Sequence, residues 1–224
     1  MLELIFKLII VAVIGYLLGS VNTSIIVGKF FGIDIRKHGS GNAGATNTLR
    51  TLGAMPAVFT FAGDALKGVL ACLVGRFVFG WDIDPNISPG MQGFFVATAE
   101  TGLLVAGIFA ILGHNWPIYF GFKGGKGVLT SFAVLLMMDW RIAIILLGVF
   151  LVVTAISKYV SLGSIVAAFL YPLFTLVPFF GHGGWQFLLA SSLVAVLIIF
   201  RHGANIGRLI RGTESKVFSK KAKG

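Results

Sequence analysis

The sequence predicts an all-α, polytopic integral membrane protein of seven transmembrane helices, with its N-terminus outside and its C-terminus in the cytoplasm. Three observations carry this. The 224-residue chain is 57% hydrophobic with a mean hydropathy of +0.94, against roughly 45–50% apolar for soluble domains. Its apolar residues fall into runs near 4–27, 53–79, 93–113, 128–138, 142–157, 162–180 and 185–200, joined by short polar stretches. Its 18 Lys and Arg outnumber 8 Asp and Glu, giving a formal charge of +10, and they are unevenly placed.

The first run lacks a small-residue cleavage site after a short apolar core and is read as an uncleaved span. The second holds Asp64 and Lys67, three residues apart and so on one helix face, together with Cys72, the lone cysteine. The pair is read as self-neutralising, with a substrate-lining role for Lys67 as the alternative. Cys72 is read as a small core residue. An acidic loop, 81–85, follows. The third run ends at His114-Asn115-Trp116-Pro117, where belt, capping and site roles compete for the histidine.

The fourth and fifth runs are short, about 11 and 16 residues where about 17–25 are expected, so one long helix through Asp139-Trp140-Arg141 competes. Charge decides. With seven crossings, fourteen of the eighteen basic residues fall on one side: Lys29, Arg36, Lys37, Arg50, Lys123, Lys126, Lys158, Arg201, Arg208, Arg211, Lys216, Lys220, Lys221 and Lys223. Cytoplasmic loops collect Lys and Arg, so that side is inside. Six crossings would split the basic loops across the bilayer. Ser161 and Ser164 flank the start of the sixth run; His182, in the outer loop that follows, reads as a turn residue. The chain is expected to be a single domain, 1–224, ending in a solvated basic tail from about 212, with Ser219–Lys223 near anionic lipid.

Three inner segments are polar and glycine-rich: Gly39-Ser40-Gly41-Asn42-Ala43-Gly44-Ala45-Thr46-Asn47, Phe122-Lys123-Gly124-Gly125-Lys126-Gly127, and Arg201-His202-Gly203-Ala204-Asn205-Ile206-Gly207-Arg208. Glycine leaves backbone N–H groups free to converge on an anion, and Ser, Thr, Asn, Lys and Arg add donors without acceptor charge. They suggest one phosphate-handling site. His202 precedes Asn205 by three residues, flanked by Arg201 and Arg208, and Asn205 could fix the imidazole or bind substrate from the same helical face.

Familiar signatures fail. Gly39 to Gly44 formally fits G-x-G-x-x-G, but an apolar helix rather than a strand precedes it. The second segment has Phe120 and Gly127 where a Walker A loop needs Gly and Ser/Thr. G-x-S-x-G and H-E-x-x-H are absent, so no metal, cofactor or covalent nucleophile is implied. The positions five after the four histidines hold Ala43, Tyr119, Phe187 and Gly207, which removes the H-x-x-x-x-D acyltransferase signature.

The segments from Gly39 to Arg50, Asp64-Ala65-Leu66-Lys67-Gly68, Gly113-His114 through Gly127, and Arg201 to Leu209 closely resemble those of bacterial acyl-phosphate:glycerol-3-phosphate acyltransferases, the PlsY family, in order and over essentially the whole chain. The resemblance implies transfer of a fatty acyl group from acyl-phosphate to the 1-hydroxyl of glycerol 3-phosphate, giving lysophosphatidic acid and phosphate, the first acylation of bacterial phospholipid synthesis. It makes Ser40, Arg50, His202 and Asn205 essential. It makes the glycine-rich second motif, Lys123, Gly124, Gly125, Lys126 and Gly127, a glycerol-phosphate loop. Gly41, Asn42, Thr46, Asn47 and Lys67 join the substrate-binding set, as does Ser161 or Ser164, and Glu214 matches a structural glutamate. The implied partners are glycerol 3-phosphate, acyl-phosphate, membrane lipid and the enzyme that makes acyl-phosphate, with no nucleic acid, at a multi-pass bacterial plasma membrane. An anion transporter and an acyl-CoA-dependent acyltransferase are the rival readings.

The topology is testable with single cysteines at Ser88, Gly183 and Ser219 in a Cys72→Ser background. An impermeant thiol reagent should label the first two in intact cells and spare Ser219; labelling at Ser219, or protection of both others, contradicts the orientation.

Overall fold

The computed structural model describes residues 2–80, 89–180 and 185–217, and the side chains of these except 89–98. The acidic loop at 81–85, His182 and the tail residues 219–223 lie outside the described residues. The described chain is helical, and it divides into two compact units, Met1–Met138 and Asp139–Gly224.

The first unit comprises α1 (Leu2–Ser20), α2 (Thr23–Phe30), α3 (Ala45–Leu52), α4 (Ala54–Gly80), α5 (Pro89–Asn115) and α6 (Val128–Met138). Helices α1, α4 and α5 pack on one another, and α2, α3 and α6 lie against α4. Small residues make this packing possible, because lipid tails are as apolar as leucine and helices gain only by close approach. A Cβ at Gly15 or Gly19 of α1 would overlap the backbone of Ala106 or Ala110 of α5, and Gly75 of α4 and Gly102 of α5 oppose each other in the same way. Val11, Phe79 and Ala106 fill the space beside these contacts. Phe6, Ile9 and Val13 of α1 and Val58, Phe59 and Phe77 of α4 remain exposed, as suits a hydrocarbon environment.

Asn22 breaks the first apolar run, separating α1 from α2. It is the N-cap of α2: its Oδ1 accepts from Ile25 N at 3.2 Å, satisfying a donor the helix start leaves unpaired.

The second unit comprises α7 (Trp140–Ser157), α8 (Val160–Thr175), α9 (Trp185–Arg201) and α10 (Gly203–Ile210). Helix α8 packs against both α7 and α9. The competing single helix through Asp139 is not formed. Asp139 is extended (φ −149°, ψ 101°) and caps α7 through Arg141 N and Ile142 N, while its carboxylate pairs with the Arg141 guanidinium at 2.9 Å.

Each of the seven apolar runs therefore coincides with helix. By length and composition, four described helices could cross a membrane, or five if the bent pair α9–α10 forms one span; α6 and α8 are shorter apolar helices. The bend between α9 and α10 is 58°.

The packing predicts opposite outcomes for two alanine substitutions. Gly19→Ala forces α1 from α5 and should lower the melting temperature in detergent, at a cost of about 1–3 kcal/mol. A Cβ at Gly148 meets nothing within 4 Å, so Gly148→Ala should be neutral or slightly stabilising. Equal melting temperatures for the two variants would contradict the assigned α1–α5 contact.

Candidate functional site

In the first unit the site is built from two loops. The first runs from α2 to α3. Asp34 starts a 3₁₀ turn at Ile35–Lys37, and Gly39 and Gly41 take the left-handed conformation (φ +58° and +71°), which a residue with a Cβ adopts only at a cost. Asn47 organises the result. It is 1% exposed; its Oδ1 accepts from Ser40 N at 2.8 Å, and its Nδ2 donates to Ile35 O at 3.1 Å and His38 O at 2.9 Å. Both amide donors are thus used inside the loop, which makes Asn47 a brace of the segment that carries Ser40. Ser40 is exposed; Arg50, one turn further along α3, and Thr46 are half-buried.

The second loop joins α5 to α6. Its glycines do something other than leave their N–H groups free. Gly124 N donates to Asn115 O at 3.3 Å and Gly125 N to His114 O at 3.1 Å, so they cap carbonyls at the C-terminal end of α5. A Cβ on Gly124 would overlap His114 O, and one on Gly125 would overlap His114 Nε2 and Ala43 O. Close packing onto the helix end is what demands glycine here. Lys123 stays exposed and Lys126 half-buried, so the cationic side chains are the groups of this loop placed to meet an anion.

Arg36 fastens one loop to the other, a role the sequence did not reveal beyond its charge. Its Nε and Nη2 grip both carboxylate oxygens of Asp34 at 2.9 Å, and its Nη1 reaches Phe120 O at 2.9 Å and Lys123 O at 3.4 Å. The hydrogen bond from Arg36 outweighs partial burial and holds the Asp34 carboxyl at about 2. A depressed acid stabilises above its ordinary range and loses that contribution only as pH falls through its folded value, so this clamp is closed at any physiological pH.

Lys67, expected to contact substrate, is 5% exposed. Its ammonium is ion-paired with Asp64 Oδ1 at 2.9 Å and hydrogen-bonds Val21 O at 3.0 Å and His114 Nδ1 at 2.9 Å. The self-neutralising reading of the pair is the one the geometry favours, extended by the histidine. Asn115, beside it, is fully buried without a partner for either amide atom, next to Gly127.

In the second unit, His202 sits at the break between α9 and α10. The continuous helical face expected to carry both His202 and Asn205 is interrupted there, and Asn205 falls in the first turn of α10. His202 Nδ1 lies 2.8 Å from Ile198 O. A carbonyl only accepts, so Nδ1 carries a proton and Nε2 of the neutral ring holds the lone pair.

Glu214 gathers the remaining polar groups. Oε1 accepts from Ser161 Oγ at 2.9 Å and Asn205 Nδ2 at 2.6 Å, and Oε2 from Arg208 Nε at 2.7 Å. Burial opposes its charge, yet the bonds from Arg208, Asn205 and Ser161 hold its carboxyl below the ordinary range. Of the two candidate serines, Ser161 is joined to this network, and Ser164 Oγ bonds Val160 O within its own helix. Val217 N returns to Lys158 O at 2.9 Å, which brings the segment after α10 back to the α7–α8 turn. Among the described residues no group of three or more His, Cys, Asp or Glu could hold a metal.

Residues 9–212 match the family model described as glycerol-3-phosphate acyltransferase. The chain belongs to the glycerol-3-phosphate acyltransferase family. It is 44% identical over 218 residues to the glycerol-3-phosphate acyltransferase of Clostridioides difficile, covering 97% of this chain and 98% of the relative. It is 45% identical over 214 residues to that of Halalkalibacterium halodurans, covering 93% and 95%. The solved structure of PlsY (YgiH), an integral membrane glycerol 3-phosphate acyltransferase, in its glycerol 3-phosphate form superposes with a TM-score of 0.79 at 33% identity, over 93% of this chain and 94% of that one. Its lysophosphatidic acid form gives 0.76 at the same identity and coverage. The family expected from the motifs is therefore the family found.

The loop clamp yields a direct test. Arg36→Met should speed tryptic cleavage after Lys123 and Lys126 severalfold at neutral pH, read by mass spectrometry of the fragments. An unchanged cleavage rate would show that Arg36 does not hold the second loop.

Proposed function

We propose that this protein transfers a fatty acyl group from acyl-phosphate to the 1-hydroxyl of glycerol 3-phosphate, at the cytoplasmic face of a bacterial membrane that it crosses seven times. The observation that carries the reading is the state of the acids. Of the six described carboxylates, Glu3, Asp34, Asp64, Asp139 and Glu214 are ion-paired, and the sixth, Glu100, lies within α5. Donors abound at the loops and a general acid does not. An acyl phosphate suits such a site, because its leaving group is phosphate, which departs without being protonated. A site that must hold two phosphate-bearing substrates also needs cationic and neutral donors to offset their repulsion.

The chemistry needs no acyl-enzyme. The 1-hydroxyl oxygen of glycerol 3-phosphate attacks the acyl carbonyl carbon, and the bond from that carbon to the phosphate oxygen breaks. The hydroxyl proton goes to His202 Nε2 or to a phosphate oxygen of the substrate. Arg50, Ser40 and the lysines of the second loop stabilise charge on the phosphates, and positioning two reactants supplies much of the rate. Relatives named as glycerol-3-phosphate acyltransferases, and a neighbour solved in glycerol 3-phosphate and lysophosphatidic acid forms, support the acceptor and the product. The break at Asp139 and the basic inner loops support seven crossings.

The test is purified protein with glycerol 3-phosphate and either acyl-phosphate or acyl-CoA. Lysophosphatidic acid should form from acyl-phosphate alone; formation only from acyl-CoA would overturn the donor assignment. Arg50→Lys should lose most activity despite keeping its charge, since lysine lacks the guanidinium fork.

If His202 is the base, His202→Gln should leave weak activity without the acidic limb of the kcat/KM profile. The lowered Glu214 carboxyl keeps its ionisation well acidic of that limb. Persistence of the limb would assign the proton to the substrate's phosphate.

A further inference from the structure

We propose that Asp64, Lys67 and His114 form a buried positioning device that holds the seam between the two glycine-rich loops of the first unit, by fixing the His114 imidazole with its proton on Nε2. Asp64, Lys67 and His114 are 1%, 5% and 3% exposed, at the level where α1 and α5 end beside the interior of α4. An ammonium has three donors and no acceptor. That of Lys67 hydrogen-bonds Val21 O and His114 Nδ1 and is ion-paired with Asp64 Oδ1 at 2.9 Å, while His114 Nδ1 itself stays 3.6 Å from that oxygen, beyond hydrogen-bond distance. A ring nitrogen that faces an ammonium accepts, so the proton of the neutral imidazole is on Nε2.

That nitrogen lies where the loops touch. It and the Ala43 carbonyl oxygen occupy the space a Cβ on Gly125 would take. Ala43 belongs to the first loop, and its carbonyl also receives Asn22 Nδ2 at 3.5 Å; Gly125 belongs to the second, and its N–H bonds the main-chain oxygen of His114. His114 thus meets the second loop through its carbonyl and the seam of both loops through its ring edge. Were Lys67 to withdraw, the ring could carry its proton on either nitrogen, and an acceptor lone pair would face the Ala43 oxygen in half of the possible tautomers. The ion pair selects the tautomer that can donate across the seam.

The consequence for catalysis rests on the function proposed above: the device does not touch substrate, and it acts through the placing of Ser40, Lys123 and Lys126. It also gives a reason for an ion pair inside an apolar bundle, where a charge without such a partner is expensive.

The test separates the device from the reaction. Asp64→Asn combined with Lys67→Met removes both charges together, so no lone charge is left buried, and removes the bond to Nδ1. Hydrogen exchange of peptides spanning 39–47 and 120–127 should quicken at least tenfold, while the melting temperature in detergent stays within a few degrees. Unchanged exchange in a folded double variant overturns the positioning role, whatever the activity.

A conservative pair at His114 adds a readout that bulk stability does not supply. His114→Gln keeps a donor near the Nε2 position, whereas His114→Asn keeps an acceptor near Nδ1 and loses the donor at the seam. The glutamine variant should retain at least tenfold more kcat/KM for glycerol 3-phosphate than the asparagine variant. Equal activities overturn the claim that the Nε2 proton matters. Quickened loop exchange with wild-type turnover would leave the device standing and overturn the assignment of these loops to acyl transfer.

Discussion

An ammonium group cannot lie among apolar helices unless its protons are taken up, and Lys67 is that group here. The cost of an unpaired basic residue at mid-helix is at least about 2.5–3.5 kcal/mol even on the gentlest scale. Three partners offset it: an ion-paired carboxylate one turn away on α4, the Val21 carbonyl just after α1, and a histidine at the end of α5. Satisfying one charge therefore sets α1, α4 and α5 in mutual register at the level where the loops begin. Close glycine contacts set the same helices lower down, and the two constraints agree.

The second unit solves a similar problem with the opposite charge. Glu214 lies beyond the last helix, yet it is buried because Ser161, Asn205 and Arg208 all point donors at it. A carboxylate so occupied is an organiser of donors and no longer an acid available for proton transfer. Together with Asp34, held by Arg36, and Asp64, held by Lys67, it explains how loops rich in cationic and amide groups stay folded. Their negative counterparts are used to build the scaffold.

Much of this was legible in the sequence, since hydropathy alone located all seven apolar runs that the structure forms as helix. The i,i+3 spacing of Asp64 and Lys67 announced an ion pair. What stayed hidden was long-range. Nothing local says that His114, nearly fifty residues on, accepts from Lys67, or that Arg36 reaches the carbonyls of Phe120 and Lys123. The second motif's glycines invited a phosphate-cradle reading, yet the N–H groups of Gly124 and Gly125 face carbonyls. Composition shows that glycine is needed without saying what crowds it. Asn47 read as a donor to substrate for the same reason: its residue type is visible and its partners are not. The break at His202 is also invisible to periodicity, because apolar spacing continues through it.

The proposed chemistry is direct transfer, in which the acyl group passes from phosphate to glycerol hydroxyl without resting on the protein. Cys72 is buried, and the proposed transfer uses donors and a proton acceptor with no acylated side chain. Isotope exchange decides the matter: purified protein is incubated with acyl-phosphate and radiolabelled inorganic phosphate in the absence of glycerol 3-phosphate, and its intact mass is recorded. Direct transfer predicts no label in acyl-phosphate and no added mass, whereas exchange at a rate comparable to turnover, with the protein heavier by one acyl group, would contradict it.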